Sequence, residues 1–148
     1  MATQKNRIDT IIAIINSNPA LNSTNINKLK TEFKQVIEVE GVNPTKRKNI
    51  LKILHSTRAL DSTLKAILDH YHIRNSKHSI GQYIIQLTVH KNASLGKLAR
   101  SEQTKYQKTI AAIRNTHLHT ADSYPKNDSE VYDLISEMQS LITRVASL

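Results

Sequence analysis

Apolar residues recur at spacings of three and four along most of the chain, the pattern of helices with one buried face. A first stripe of isoleucines lies within residues 8–15. A polar break with Pro19 follows, and a second helix is predicted over about residues 24–40, with Gly41 as its left-handed cap. The longest helix is predicted from about residue 45 to residue 71. Its apolar stripe consists of Ile50, Ile53, Leu60, Leu64, Ile67 and Tyr71, with Thr57 in the gap.

Two capping signals divide the second half of the chain. Ser79 with Gln82 predicts the start of a short helix, and Asn127 with Glu130 predicts the start of the last one. Between them, a break near residues 91–96 precedes a helix that reaches Ile113. The last helix has the clearest amphipathic pattern, carried by Val131, Leu134, Ile135, Met138, Leu141, Ile142 and Val145. Together these patterns predict an all-α fold, a single helical bundle of five or six helices.

Composition agrees with this interpretation and sets its bounds. Three Gly and three Pro in 148 residues are too few for the many turns of a β-sandwich or barrel. The length favours one domain over residues 1–148, with residues 1–20 as a candidate N-terminal extension. The absence of Cys removes disulfides and thiolate metal sites. No apolar run approaches the roughly 20 residues that span a bilayer, so we expect a cytoplasmic protein without membrane attachment.

Positive charge suggests the class of partner. Lys and Arg number 21 against 12 Asp and Glu, a net charge of +9, which favours polyanions and above all nucleic acid. The longest predicted helix opens with Lys46, Arg47 and Lys48, which are candidate RNA contacts. The alternative for this run, and for the net charge, is an ordinary solvated surface.

The strongest chemical signal lies in residues 114–119, here called the motif segment. Arg114 offers a planar, permanently charged fork for phosphate oxygens. An imidazole such as that of His119 can act as general base or acid near neutral pH. These groups suffice for metal-independent RNA cleavage by the ribose 2′-hydroxyl, with 2′,3′-cyclic phosphate and 5′-hydroxyl products. DNA, which lacks that hydroxyl, should not be cut.

Helical geometry predicts which side chains cooperate. Asn115 and His119 are four residues apart and share a helix face, so Asn115 is predicted to orient the His119 ring. Arg114 lies about 140° from His119 on an ideal helix and is predicted to point elsewhere. Both would reach one phosphate if the helix ended between them or if a second chain supplied its own copy. The second possibility predicts a homodimer with a composite site.

The motif segment resembles the Arg-x-x-x-x-His motif of HEPN domains, often written Arg-Asn-x-x-x-His. The resemblance extends over about residues 45–145, because a long helix precedes the motif and a long amphipathic helix follows it. It implies a dimeric, all-α, metal-independent endoribonuclease, with Arg114 and His119 catalytic and Asn115 supporting. Many such domains belong to toxin–antitoxin or phage-defence systems, which implies an antitoxin or defence-complex partner protein. The chain departs from toxins silenced by nucleotidylation, since Ala121 stands where they carry Tyr.

Other interpretations of the same residues stay open. Arg114 and Asn115 could cap a helix end, and His119 could be a polar loop residue. His117 lies inside the motif without being required by it, and a solvated or RNA-contacting role is expected for it. The pairs His70/His72 and His117/His119 lack nearby carboxylates at ligand spacing, so neither a metal nor another cofactor is predicted. The alternative functions are a non-catalytic helical module that binds RNA or protein, and a DNA-binding protein, although no helix-turn-helix is evident.

Overall fold

The computed structural model describes residues 3–22, 26–125 and 127–148, and every regular element in these ranges is helical. The prediction of an all-α protein is therefore confirmed. The α-helices are α1 (Gln4–Ser17), α2 (Pro19–Asn22), α3 (Ile26–Glu38), α4 (Thr45–His70), α5 (Ile80–Val89), α6 (Arg100–Tyr106), α7 (Ala112–His119) and α8 (Asp128–Ala146). A 3₁₀ turn (Val39–Gly41) follows α3, and a π-helical turn (Gln107–Ala111) joins α6 to α7 without a break. No helix in the described ranges has the length and apolar content needed to cross a membrane.

Side-chain caps fix the helix starts that the sequence predicted. The Ser79 hydroxyl accepts a hydrogen bond from the Gln82 backbone N–H at 3.2 Å. The Asn127 side chain accepts one from the Glu130 backbone N–H at 3.1 Å. Each bond satisfies an N–H that has no partner within the first helical turn. Helices α5 and α8 therefore begin where the two capping signals placed them.

The longest helix, α4, lies at the centre of the packing. It contacts α2, α3, α5, α7 and α8, and α1 packs against α8 and α3. All seven apolar residues of the α8 stripe are buried. Ile8, Ile11 and Ile15 of α1 are also buried, so this helix contributes side chains to the core. Burying such a side chain stabilises the fold by about 1.5–3 kcal/mol.

Two local predictions around the second helix are wrong. Gly41 has no positive φ, because the chain leaves α3 through a right-handed 3₁₀ turn in which the Val42 N–H bonds to the Val39 carbonyl at 3.0 Å. The polar break is interrupted by α2, where Asn18 accepts a hydrogen bond from the Ala20 N–H and where Ala20 and Leu21 are buried. The predicted start of the second helix near residue 24 lies outside the described residues.

The π-helical turn anchors the segment that leads into the motif. Ile110 is fully buried, and the neighbouring Tyr106 hydroxyl lies 2.8 Å from the Ser140 hydroxyl of α8. The Gln107 side-chain amide donates to the Gly81 carbonyl of α5 at 3.3 Å. Isolated π turns inside helices occur frequently at functional sites. Here the turn ties the start of α7 to both α5 and α8.

Candidate active site

Arg114 and His119 of one chain are in direct contact. The Nη1 atom of Arg114 lies 2.7 Å from Nε2 of His119. Because a guanidinium can only donate, Nε2 is the acceptor in this arrangement, and a neutral ring would carry its proton on Nδ1. The prediction that Arg114 points away from His119 is therefore wrong. Helix angles locate Cα atoms, whereas the rotatable bonds of arginine carry its guanidinium across a full turn.

Asn115 forms a hydrogen bond with Arg114. Its Oδ1 accepts a hydrogen bond from the same Arg114 Nη1 at 3.3 Å. The guanidinium therefore lies between the amide of Asn115 and the imidazole of His119, and Asn115 reaches His119 only through it. Asn115 and His119 are exposed and Arg114 is half-buried, so a phosphate can approach all three from solvent.

The end of α7 sets the position of His119. His119 is the last residue of the helix, and the chain turns at once through Asp122, which adopts a left-handed backbone conformation with φ of 59°. Asp tolerates this conformation better than most residues do. The Ser123 N–H then bonds to the Thr120 carbonyl at 3.3 Å. The tight turn leaves the His119 ring at the exposed tip of the helix.

His117 forms hydrogen bonds that connect this turn with the last helix. Its Nδ1 lies 3.1 Å from the Ser123 hydroxyl, and its Nε2 lies 2.6 Å from Oε1 of Glu130 in the first turn of α8. The His117 side chain is only 7% exposed. Both ring nitrogens are engaged, so a direct contact with RNA would require one of these bonds to break. The sequence pattern predicts Glu130 only as a capping residue.

The basic start of α4 lies beside the turn that follows the motif. The Lys46 ammonium lies 5.3 Å from the centre of the Tyr124 ring, within the range of a cation–π interaction. Arg47 is exposed. Lys48 differs from both, because its side chain is 14% exposed and its ammonium lies 3.6 Å from Glu40 and 3.8 Å from Asp128. Lys46 and Arg47 thus present charge to solvent, whereas Lys48 mainly neutralises carboxylates.

A carboxylate that the sequence did not single out is influenced by the charge of Arg114. One carboxyl oxygen of Asp61, on α4, is buried without a hydrogen-bond partner. Burial raises the pKa of Asp61, and the positive charge of Arg114, followed by those of Lys65 and His78, opposes that rise. No helical pattern distinguishes this residue, because it lies at the border between the apolar stripe and the exposed face of α4.

The described residues contain no group of three or more His, Asp or Glu side chains arranged to hold a metal ion. Comparisons with protein-family models, curated proteins and solved structures found no match to the chain.

Proposed function

We propose that this protein is a metal-independent endoribonuclease of the HEPN type. The observation that carries the proposal is the contact between Arg114 and His119 at an exposed helix end, with 2.7 Å between guanidinium and imidazole nitrogens. This places a phosphate-binding cation and a proton-transfer group within reach of one phosphodiester. The net charge of +9 and the exposed Lys46 and Arg47 favour a polyanionic substrate.

Without RNA, Nε2 of His119 is engaged by Arg114 and is not available as a base. The Nε2 lone pair of His119 is occupied by the hydrogen bond from Arg114. A bound phosphate competes for the guanidinium, because a charged bidentate pair is stronger than a bond to a neutral ring. Binding of RNA therefore moves Arg114 onto the phosphate oxygens and frees Nε2 to accept a proton.

The reaction then proceeds by transfer within the RNA. Nε2 of His119 removes the proton of the 2′-hydroxyl, the 2′-oxygen forms a bond to phosphorus, and the bond from phosphorus to the 5′-oxygen breaks. Arg114 stabilises the charge that develops on the phosphoryl oxygens. The His119 imidazolium of a second copy gives a proton to the leaving 5′-oxygen. The products are therefore a 2′,3′-cyclic phosphate and a 5′-hydroxyl.

The homodimer is part of the proposal and follows from the HEPN resemblance. The two groups already meet within one chain, so a second copy is not needed to pair Arg114 with His119. A second copy would add another imidazole to the site, with one His119 as base and the other as acid. A toxin or defence role in the cytoplasm, with an antitoxin or defence-complex partner, also follows from the resemblance.

Cleavage in excess EDTA tests the proposal. The substrates are a labelled RNA and the same sequence with every 2′-hydroxyl methylated, and the products are analysed for their end groups. We expect the RNA to be cut to cyclic phosphate ends despite chelation and the methylated strand to stay intact. Loss of activity in EDTA, or cleavage of the methylated strand, would contradict the mechanism. Binding of both strands without cleavage would favour the non-catalytic module.

A further inference from the structure

A cleft lies between the end of α4, the loop over residues 71–79 and the start of α5. Its volume is about 460 Å³, within the range of small-ligand sites. Lys65 and Asp69 of α4 form one wall, His72, Arg74 and His78 of the loop form the other, and Tyr83 of α5 also lines it. None of these residues belongs to the motif segment.

Helix α4 connects the cleft with the motif segment, because its end lines the cleft and α7 packs against it. Asp61 lies on α4 one turn before Lys65, and the charges of Arg114, Lys65 and His78 all oppose the rise in its pKa. A strand held at Arg114 could therefore follow α4 into the cleft.

Basic groups prevail among the charged residues of the cleft. Asp69 is its one acidic side chain, and the Lys65 ammonium lies 3.7 Å from it. In the parts of the chain that the structure describes, Arg74 forms no ion pair, so its guanidinium is available to an incoming anion. Tyr83 holds the wall in place, because its hydroxyl lies 3.3 Å from Nδ1 of His78 and the two rings meet edge to face.

We propose that this cleft binds a phosphodiester of the same RNA strand, next to the one held by Arg114, with Arg74 and Lys65 as the phosphate-binding side chains. The inference rests on the proposed function and extends it, since it assigns a direction to the substrate along α4. Arg74 supplies a planar fork and Lys65 a mobile point charge, both suited to phosphate oxygens. His72 and His78 offer ring nitrogens to the sugar or to a base edge.

The test measures binding separately from cleavage. In a His119→Ala background, Arg74→Ala is compared with Arg100→Ala, which removes an equal charge from an exposed position at the start of α6 outside the cleft. The probe is a labelled single-stranded RNA of about twelve nucleotides, titrated at several salt concentrations. We expect Arg74→Ala to raise Kd about fivefold to tenfold and to reduce the salt slope by about 0.7, the value of one single-strand phosphate contact. Arg100→Ala should leave both unchanged.

Equal effects of the two variants on Kd and salt slope would overturn the cleft proposal, even if the wild type cleaves RNA. Competition by a free mononucleotide as effective as competition by the RNA would also overturn it, because the cleft would then hold a small molecule. Cleavage by the intact protein separates the two proposals. A wild type that cuts no RNA refutes the proposed function, whereas the cleft is judged on the binding data alone. A greater KM increase for the RNA than for a dinucleotide in the Arg74→Ala enzyme would support both.

Discussion

The guanidinium of Arg114 donates to the imidazole of His119 across five residues at the end of α7, with 2.7 Å between Nη1 and Nε2. The same guanidinium donates to Asn115, so one arginine organises the three polar groups of the motif segment. Under the proposed function, in which His119 transfers the proton, this contact is the resting arrangement of the site. The substrate phosphate is the group expected to change it.

Replacement of Arg114 by lysine tests whether cleavage depends on the planar donor geometry of the guanidinium as well as on its charge. Lysine keeps the charge but loses the planar donors that reach Asn115 and His119 together. We expect RNA cleavage to fall by about 10²-fold, the usual effect of removing one transition-state donor. Single-turnover rates measure this, and circular dichroism checks the fold. Full activity in Arg114→Lys would show that a point charge suffices.

The bonds from His117 to Ser123 and Glu130 should stabilise the turn after the motif. His117→Ala removes both bonds from a nearly buried position, and we expect a loss of about 1–3 kcal/mol in the free energy of unfolding. For a protein of this size that is a fall in Tm of roughly 2–10 °C. Cleavage should weaken as well, because the turn positions His119. His70→Ala, at an exposed position, is the matched control; equal Tm values for the two variants would contradict this role.

Acid should weaken the contact between Glu40 and the buried Lys52. The Lys52 ammonium, which also donates to Gln4 at 2.6 Å, lowers the pKa of Glu40 through a hydrogen bond. The stabilisation is present above the ordinary carboxyl pKa and is lost as pH falls through the lowered one. Glu40→Ala should therefore lower Tm at pH 7, and the difference from wild type should shrink below about pH 4.

Glu38→Ala is the control for this contact, because Glu38 is exposed on the same stretch of chain and pairs only with Gln35 among the described residues. Thermal unfolding from about pH 3 to pH 7 supplies the data. If the difference in Tm between Glu40→Ala and the wild type stayed constant across that range, the contact would not depend on the carboxylate charge.

In contrast to Glu40, the ionised Asp61 is expected to lower the stability of the fold. Burial raises the pKa of Asp61 above its ordinary value, so the ionised group destabilises the fold, and stability falls as pH rises through the raised pKa. Asp61→Asn should raise Tm at pH 7 by a few degrees, on the order of 1 kcal/mol, with the gain fading near pH 4 and below. Asp133→Asn, at an exposed position on α8, should change little. A lower Tm for Asp61→Asn would mean that attraction to Arg114 outweighs burial.

The bundle itself could be predicted from the sequence because its signals are local. The α8 stripe and the Asn127 cap depend on residues within four positions of one another, and both are observed. The short helix α2 was missed, because Pro19 and its polar neighbours indicate a turn while the burial of Leu21 depends on distant helices. The π-helical turn before α7 likewise has no local signature.

The contacts among the candidate site residues could not be predicted from the sequence. Residues 114–119 suggest a chemistry, yet the direction of the Arg114 side chain is a rotamer choice that helix angles do not fix. Asp61 and Glu130 lie outside the motif segment in sequence. The charge of Arg114 acts on Asp61 of α4, 53 residues away, and His117 bonds to Glu130 of α8, 13 residues away. Such contacts between helices cannot be found from periodicity alone.

The most direct test of the account is the single-turnover cleavage rate of RNA in excess EDTA for the wild type, His119→Ala and His70→Ala. Both variants remove an imidazole from an exposed position at the end of a helix, but only His119 contacts Arg114. We expect His119→Ala to be at least about 10²-fold slower than the wild type, since it loses the proton-transfer group, and His70→Ala to be unchanged. Cleavage by His119→Ala at the wild-type rate would contradict the central claim.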